Sequence, residues 1–597
     1  MSSDIAHEPA VRNRLSVWKI AAYSSLVAGV IVLLCLLVLL FFPDIYINGY
    51  FKSKIINEFT KACPGYSIRI SDLHFNILKN RIAFGSVIIN SDDSTFTCSI
   101  DRASMKGISW LPLIWKGAKA PDVFAGSVAE AQEIVMKLNK SQYEIRCGQL
   151  IVSLHDSEFL ATDLEVKPMV DDNIFFDASE YQRTRFNIVL PLLRISGLDY
   201  QGLLQGKIYH TRFIQIRDAS LDILVNMYKP LEQDTSNNLK SNDFMSTIKE
   251  KIQVDSFNTT NVQVKYGESY TARSNPEIGY KIRCGELHAS LHDSNIVAND
   301  LDIHPLMDDN EYFDESRFRR TTFRMVLAEL RVNGLDCKGL VQNKIYHARS
   351  VQINDASLDV SVDMYKPYER DTVKFLMPNE MLASMKEIIN VDSISITKGQ
   401  LIYAEFSTAR SNPAVVMFNN VALLAEGMSN NNKHGDTLVI HANANFMESG
   451  MMKVIMHIPL TSPKFCLQYS GTLGTMELNK LNSFVEIAEH KRVKSGIVHS
   501  ASFDIQVNDG HAKGSVRAAY EDFKLAILDS KTGSEKGIMN KIKSFLANTF
   551  KLHGTNKKDN AGILKLGKVH YTRFRDDTFT QFAWFALRSG VADIIGF

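Results

Sequence analysis

The sequence predicts a mostly β fold: an elongated, curled, repetitive antiparallel sheet with a few short helices and one N-terminal transmembrane helix. Three observations carry this expectation. Apolar and polar residues alternate at period two in several separated runs, the pattern of strands with one apolar and one wet face. A unit of the chain occurs twice in tandem at a constant offset of 137 residues. Near the start, Ile20 to Phe42 is a run of 23 residues without a charge.

That run is long enough to cross a bilayer core, which takes about 20 apolar residues in a helix. A helix also satisfies its own backbone polar groups, as lipid demands. Arg12, Arg14 and Lys19 precede the run. A cleavable signal peptide shares that basic start. Its apolar core is normally about 7–15 residues long and ends at a small-residue cleavage site. Here the run is longer and closes on Phe41-Phe42-Pro43-Asp44, so an uncleaved anchor is the expectation. Lys52, Lys54 and Lys61 follow the span. The first basic cluster lies nearer the apolar edge, which places residues 1–19 in the cytoplasm and the bulk of the chain on the far side.

Composition excludes some classes. The 597 residues carry 67 Lys and Arg against 66 Asp and Glu, a net charge of +1. Such balance argues against a nucleic-acid binder, which depends on neutralising phosphates. The seven cysteines are scattered, with Cys35 inside the apolar run and no C-x-x-C spacing. They fit no disulfide framework and read as small buried apolar residues.

Beyond the anchor the chain divides into a β region at 45–142, two repeat copies at 143–279 and 280–413, a C-terminal β region at 414–530, and a terminal segment at 531–597. In the first region Ser67-Ile68-Arg69-Ile70 and Arg81 to Ile89 read as strands, with a turn at Lys79-Asn80. Ile108 to Trp115, rich in Trp and Pro, reads as a short helix.

The duplication is carried by landmarks in register. IRCG starts at Ile145 and Ile282, SLHDS at Ser153 and Ser290, KIYH at Lys207 and Lys344. DASLD starts at Asp218 and Asp355, MYKP at Met227 and Met364, and TARSNP at Thr271 and Thr408. A unit that tolerates stacking on its own copy is the mark of a repeat architecture. Leu358, Val360, Val362 and Met364 alternate with Asp359, Ser361 and Asp363, and Leu221, Ile223, Val225 and Met227 repeat the pattern. The pattern returns at Ile440, Ala442, Ala444 and Phe446, and at Ala501, Phe503, Ile505 and Val507. Helical stretches are expected only at Ser241–Ile252 and Asn379–Ile389, just ahead of the strands that begin near Val254 and Val391.

An apolar sheet face cannot stay in water over more than a few hundred Å² without marking a binding site. It must curl on itself, pack under another layer, or hold something apolar. The alternating residues are therefore candidate lining for acyl chains. At the C-terminal end, Gly537 to His553 spaces Ile538, Ile542, Phe545 and Phe550 on one side of a basic amphipathic helix, a pattern for a membrane surface or a docking partner. Helix capping at the end of the sheet is the alternative. Phe579 to Leu587, with Phe582, Trp584 and Phe585, reads first as an end cap and second as a contact with lipid or a partner.

Reactive motifs are few. His155-Asp156, His292-Asp293, His210 and His347 are all duplicated at the repeat offset, as turn and strand residues are, so no catalytic site is expected. Asp171-Asp172-Asn173 and Asp308-Asp309-Asn310 resemble part of a calcium loop without its glycine and distal glutamate. They read as solvated loops. No metal and no cofactor are expected.

One resemblance covers nearly the whole chain. An N-terminal span is followed by Ile68-Arg69-Ile70-Ser71-Asp72-Leu73 and Ile82 to Val87. Near the C-terminus come Tyr469 to Met476, Leu478 to Asn482, Ser495-Gly496, Ala519 to Phe523, Phe545 to Asn548 and Gly567 to Tyr571. In this order the chain resembles the AsmA-like family, relatives of TamB and of the bridge-like lipid-transfer proteins. The resemblance implies a taco-like β groove in the periplasm, tied to the bacterial inner membrane. It further implies phospholipid transport toward the outer membrane or envelope homeostasis. A non-enzymatic scaffold for outer-membrane protein or lipopolysaccharide assembly, meeting envelope partners through the C-terminus, is the alternative. The 137-residue duplication departs from the family pattern. About 25 strands at 4.8 Å spacing would run on the order of 120 Å, which suits a shuttle, a partial bridge or an oligomer.

Overall fold

A computed structural model describes residues 29–34, 37, 43–76, 79–109, 124–200, 209–231, 252–270, 278–336, 345–368, 375–385, 387–408, 412–431, 437–529, 553–557 and 562–596. Among these residues 25 strands form a mixed, largely antiparallel sheet with a few helices. Two compact units are resolved: residues 1–169 with 192–210, and residues 170–191 with 211–597. They do not follow the duplication. Residues 143–169 and 192–210 of copy one belong to the first unit and the rest of that copy to the second.

The anchor expected at 20–42 lies largely outside the described residues; 29–34 are helical. No helix among the described residues is long and apolar enough to cross a membrane. The short helix expected at Ile108–Trp115 also falls mostly outside them, with Ile108 buried at 2% exposure.

In the first unit, helix α1 (Pro43–Ala62) precedes β1 (Tyr66–Ile70), β2 (Leu73–Asn76), β3 (Arg81–Phe84), β4 (Val87–Ser91), β5 (Phe96–Lys106), β6 (Val128–Leu138), β7 (Tyr143–Ser153) and β8 (Glu158–Pro168). The single strand expected over Arg81–Ile89 is two. β1 pairs with β4 and β2 with β3, and both β3 and β4 lie along β5. Both arms of this hairpin break at the same level, where the Ser71 N–H donates to Ser86 O at 2.8 Å and the Gly85 N–H to Asp72 O at 2.9 Å. A Cβ at Gly85 would meet Ser71 Oγ at 2.6 Å, so glycine is what admits the close approach. Cys98, Ile134, Cys147 and Ala161 form the buried centre, with Phe96, Met136, Leu150 and Leu164 packed around it.

The second unit holds α2 (Asp172–Asp177), β9 (Thr184–Ser196) up to Pro191, β10 (Tyr209–Arg217) from Thr211, β11 (Ser220–Asn226), β12 (Ile252–Ser269), β13 (Ile278–Ser290) and β14 (Asn295–Pro305). Then come α3 (Asp309–Asp314), β15 (Thr321–Asn333), β16 (Ile345–Asp363), α4 (Pro378–Ser384), β17 (Ile388–Phe406), β18 (Ala414–Ser429), β19 (Thr437–Phe446), β20 (Gly450–Pro459), β21 (Leu467–Leu473) and β22 (Met476–Glu477). A 3₁₀ turn at Leu478–Leu481, α5 (Asn482–Ala488), β23 (Lys491–Asn508), β24 (His511–Ile527), β25 (Leu566–Thr572) and α6 (Phe579–Ile595) complete it.

The expected all-antiparallel ladder is corrected once in each copy: β11 runs parallel to β12, and β16 parallel to β17. A parallel neighbour needs a crossover of a dozen or more residues. The segment between Asp363 and Ile388 is such a crossover and contains α4. The helix expected at Asn379–Ile389 is shorter than expected, because Ile388 and Ile389 already pair with Ile345 and Tyr346. Its counterpart at Ser241–Ile252 lies outside the described residues except for Ile252, which opens β12.

Long strands in both units are interrupted near mid-length. Glu133 and Asp163 in the first unit, and Asn261, Asp300, Asp355, Lys398 and Asn420 in the second, have φ between 51° and 56°. The ladders skip a pair at the first five of these levels and shift register at Lys398 and Asn420. Apolar side chains are then three residues apart instead of two. Cys147 and Leu150 nevertheless pack in one cluster, so the interruption shifts the alternation without moving it to the other face. Irregularities of this kind bend a strand and tighten its twist.

At the C-terminal end, α6 packs against β24 and β25. Thr578 and Gln581 form its capping box, and Gly596 ends it with φ 85°. Its Phe582, Ala586 and Ile594 are within 1% of full burial, joined by Leu467, Ile505, Val516 and Val569. Met377 and Leu382 of the α4 segment enter the same cluster. The Lys568 N–H donates to Asp593 Oδ2 at 2.8 Å and the His570 N–H to Ser589 Oγ at 3.1 Å. Side chains of α6 thus cap backbone donors of β25, an edge that would otherwise invite pairing. Gly567 and Gly590 permit the contact: a Cβ at Gly590 would stand 2.6 Å from Val516 Cγ2. Gly590→Leu is expected to destabilise this end by about 3 kcal/mol through overpacking, read as a lowered thermal midpoint and faster proteolytic release of the C-terminal segment.

Candidate functional site

Register turns the separate alternating runs into one surface of the second unit. Leu221 pairs with Val264, and the row continues through Ile282, Ile303, Met325, Leu358, Leu401, Phe418 and Phe446. Opposed residues in a ladder share a face, so Leu221, Ile223 and Val225 lie on the same side as Leu358, Val360 and Val362. Ile440, Ala442, Ala444 and Phe446 of β19 belong to it too. Through Met456 and Tyr469, Ile440 is in line with Ile505, which adds Phe503 and Val507. Met227 and Met364 sit just past the strand ends, where their N–H groups donate to Ser269 O at 2.7 Å and Phe406 O at 2.8 Å.

Cover differs along this surface. Ile505 and Val507 are 0% and 4% exposed, Phe503 packs against the same cluster, and all three lie beneath α6. From β11 to β19 every member of the row through Leu221 and Leu358 is half-buried. Val362 and Ala444 are buried at 9% and 8%. Phe186 and Phe323 remain exposed at 37% and 36%. Tyr280 stacks on Phe323 with ring centroids 4.6 Å apart, and Phe418 meets Phe446 at 5.2 Å. The buried apolar clusters among the described residues lie around Cys98, beneath α6, and at Val493 and Leu525, and the one beneath α6 reaches Ile440 of β19.

Two carboxylates interrupt the apolar face at equivalent repeat positions. Glu268 is in register with Val225 and Ile278, and Glu405 with Val362 and Ala414. Both Tyr266 and Tyr270 donate their hydroxyls to Glu268 at 2.7 Å, and Tyr403 donates to Glu405 at 2.9 Å. Burial, then the bond to Glu268, pushes the Tyr266 and Tyr270 phenols up to about 12. Burial likewise raises Glu405, against the opposing hydrogen bond from Tyr403 and the charge of Arg319. Sequence reading missed this pair. Its signal is a Tyr-x-Glu in which the acid falls on the apolar side of the alternation, twice at the repeat offset.

The opposite face is wet on β20 and β23, where Met451, Lys453, Ile455, His457, Asp504, Gln506 and Asn508 are exposed, and half-buried or buried on β11 and β16. The expectation that Asp363 points to water is corrected. It is 0% exposed, because α3 folds over the strand ends on this side and sets Phe313 5.6 Å from Phe406. Asp363 Oδ1 accepts from the Arg320 N–H at 2.7 Å, and Asn226 makes the equivalent bond to the Arg183 N–H at 2.5 Å.

The duplicated acidic loops are exposed at Asp171, Asn173, Asp308 and Asn310, and they start short helices. Asp171 and Asp308 cap the N-termini of α2 and α3, accepting from the N–H groups of Ile174 at 3.0 Å and Glu311 at 2.9 Å. Asp172 pairs with Arg185 at 2.9 Å, and Asp309 with Arg324 at 3.2 Å. Lys229 and Lys366, from the MYKP turns, donate to carbonyls at the far ends of α2 and α3. In SLHDS, Ser153 donates to Asp156 at 2.6 Å and Ser290 to Asp293 at 2.7 Å, closing hairpins. No group of metal-ligating residues is assembled among the described residues.

Of the C-terminal candidates, Ile538, Ile542, Phe545 and Phe550 lie outside the described residues. Phe582 is 0% exposed inside the cluster, Phe585 is half-buried 5.7 Å from Tyr571, and Trp584 is 44% exposed. Phe582 and Phe585 are taken up by the packing of α6, and Trp584 faces outward. Comparison with protein-family models and with curated proteins finds no match for this chain.

Burial lifts the Asp363 carboxyl from 3.8 to about 6, opposed by the Arg320 N–H and by Lys366, Arg319 and Arg320. A raised folded value means the native state holds the proton more tightly. Asp363's contribution to stability is therefore greatest at low pH and falls as pH rises from about 4 through about 6, by up to about 3 kcal/mol. Asp363→Asn, which copies Asn226, should raise the melting midpoint at pH 7.5, and the gain should shrink toward zero near pH 4.

Proposed function

We propose that this chain is a membrane-anchored, lipid-binding groove protein of the bacterial periplasm. On this reading the sheet is curled into an elongated groove that carries phospholipid acyl chains, in transport between inner and outer membranes or in envelope homeostasis. Residues 20–42 anchor it in the inner membrane, with the N-terminus in the cytoplasm. Chemistry on the lipid is not part of this reading; the protein holds its cargo and does not transform it.

The single observation that carries the reading is the half-buried apolar face from β11 to β19. Aliphatic side chains there are neither sealed, as beneath α6, nor scattered singly, as on an ordinary surface. An acyl chain laid on such a face leaves water at about 0.8 kcal/mol per buried CH₂. The mid-strand interruptions add support, since they bend strands and so favour a concave surface. The resemblance to the AsmA-like family points the same way.

Purified full-length protein is expected to carry phospholipid detectable by mass spectrometry of its organic extract. Val360 lies in register with Phe323 and Tyr403 on the open face. Val360→Asp places a charge where acyl chains would lie, a penalty of more than 1.4 kcal/mol, and should cut bound lipid roughly tenfold with unchanged circular dichroism. Wild-type protein that neither carries nor extracts lipid ends this reading. The scaffold alternative gains one observation, exposed Trp584 and Phe574 at 44% and 66%, and predicts loss of a protein partner on deleting 579–597.

A further inference from the structure

On the strand-end margin of the apolar face, between β12 and β17, opposite charges and tyrosines are set together. Glu268 holds two tyrosine hydroxyls. The Arg320 guanidinium stands 5.3 Å from the centre of the Tyr312 ring. Burial raises both the Tyr270 and Tyr312 phenols, and at each the Arg320 charge pulls the other way, so these groups share one neighbourhood. Arg320 Nη1 is buried without a hydrogen-bond partner, leaving a cationic donor unspent.

Around Glu405 the same components recur. Arg319 lies flat over Tyr368 at 4.0 Å, and its charge is felt at both Glu405 and Tyr403. Arg319 is fixed by donating to Met364 O at 2.9 Å and Lys366 O at 3.3 Å. Each copy thus ends in one carboxylate on the apolar face with aromatic rings close by, and the guanidiniums near them, Arg320 and Arg319, both come from the turn ahead of β15 in the second copy.

We propose that these two clusters recognise the zwitterionic headgroup of an amine-bearing phospholipid, the ammonium on Glu268 or Glu405 and the phosphate on the neighbouring arginine. The inference rests on the lipid-groove reading and gives it a cargo class. A carboxylate flanked by tyrosine rings suits an ammonium by charge and by cation–π attraction, and a guanidinium suits a phosphate. An anionic lipid without an amine would meet the same carboxylate as a like charge. Two equivalent carboxylates 137 positions apart in sequence, each with a different member of the Arg319–Arg320 pair near it, offer two headgroup positions along one apolar face.

The test uses full-length protein incubated with vesicles of phosphatidylethanolamine and phosphatidylglycerol in equal amounts, with matched acyl chains. Bound lipid is then quantified by mass spectrometry. Wild-type protein should enrich the amine lipid about tenfold, the value of one charge-assisted hydrogen bond. Glu268→Gln with Glu405→Gln should bring the ratio to about one while total bound lipid is unchanged. A second measurement needs no substitution: N-acetylated phosphatidylethanolamine keeps the phosphate and loses the ammonium, and wild-type protein should discriminate against it to the same extent. Equal uptake of amine and acetylated lipid by wild-type protein, or a preference that survives in the double variant, overturns the headgroup assignment and leaves the groove standing. Wild-type protein that takes up no lipid removes the groove reading, and the assignment with it.

Discussion

The second unit depends on backbone register. Its apolar surface is assembled from strands far apart in sequence, and only the hydrogen-bond ladder sets Leu221 in line with Leu358 and Phe446. A slip of one residue anywhere in that ladder would turn a whole strand's apolar side chains to water. The mid-strand interruptions put this constraint under load. Each inserts a left-handed residue that L side chains adopt at a cost of roughly 1–2 kcal/mol, and the partner strand skips at the same level. From Glu133 to Asp355 phase is kept because neighbouring strands break together, and between β18 and β19 a register shift takes up the extra residue. Asp and Asn occupy five of the seven positions, Asp163, Asn261, Asp300, Asp355 and Asn420, in keeping with their tolerance of that conformation.

The same alternation serves two ends according to what lies above it. Ile505 and Val360 sit on one continuous face. Beneath α6, Ile505 is core, held by Phe582 and by the close approach of Gly567 to Gly590. Between β11 and β19 the side chains stay half-buried, and there the proposed acyl cargo finds its place. The described part of the crossover, α4, does not alter this. Its Met377 and Leu382 join the cluster beneath α6, where Asn379 donates to Ser462 O at 2.9 Å and Arg573 grips Glu380 at 3.0 Å.

Duplication explains why residues with reactive chemistry do structural work. The acidic loops cap short helices, the MYKP lysines tie down the far ends of those helices, and the SLHDS serines close hairpins. The copies differ at several buried sites, among them the pair Asn226 and Asp363. Asn226 and Asp363 make the same backbone bond, but only the aspartate brings an ionisable group to a position with no solvent exposure.

Strands were legible because burial on one face writes a period of two, and the repeat landmarks were legible because identical segments fold alike. Leu358, Val360, Ile440 and Ile505 declared their common character, and Gly537 to His553 its helical spacing, from sequence alone. Parallel pairing of β16 with β17 was not legible, since an alternating strand fits either direction and only the path of the crossover decides. Nor was the burial of Asp363, which reads as a wet position until α3 folds over it. Local periodicity therefore determined which side chains avoid water. The tertiary structure alone decided which of them α6 seals, which stay half-open, and which charges, Glu268 and Glu405 among them, end on the apolar side, because those outcomes depend on contacts between residues tens to hundreds of positions apart.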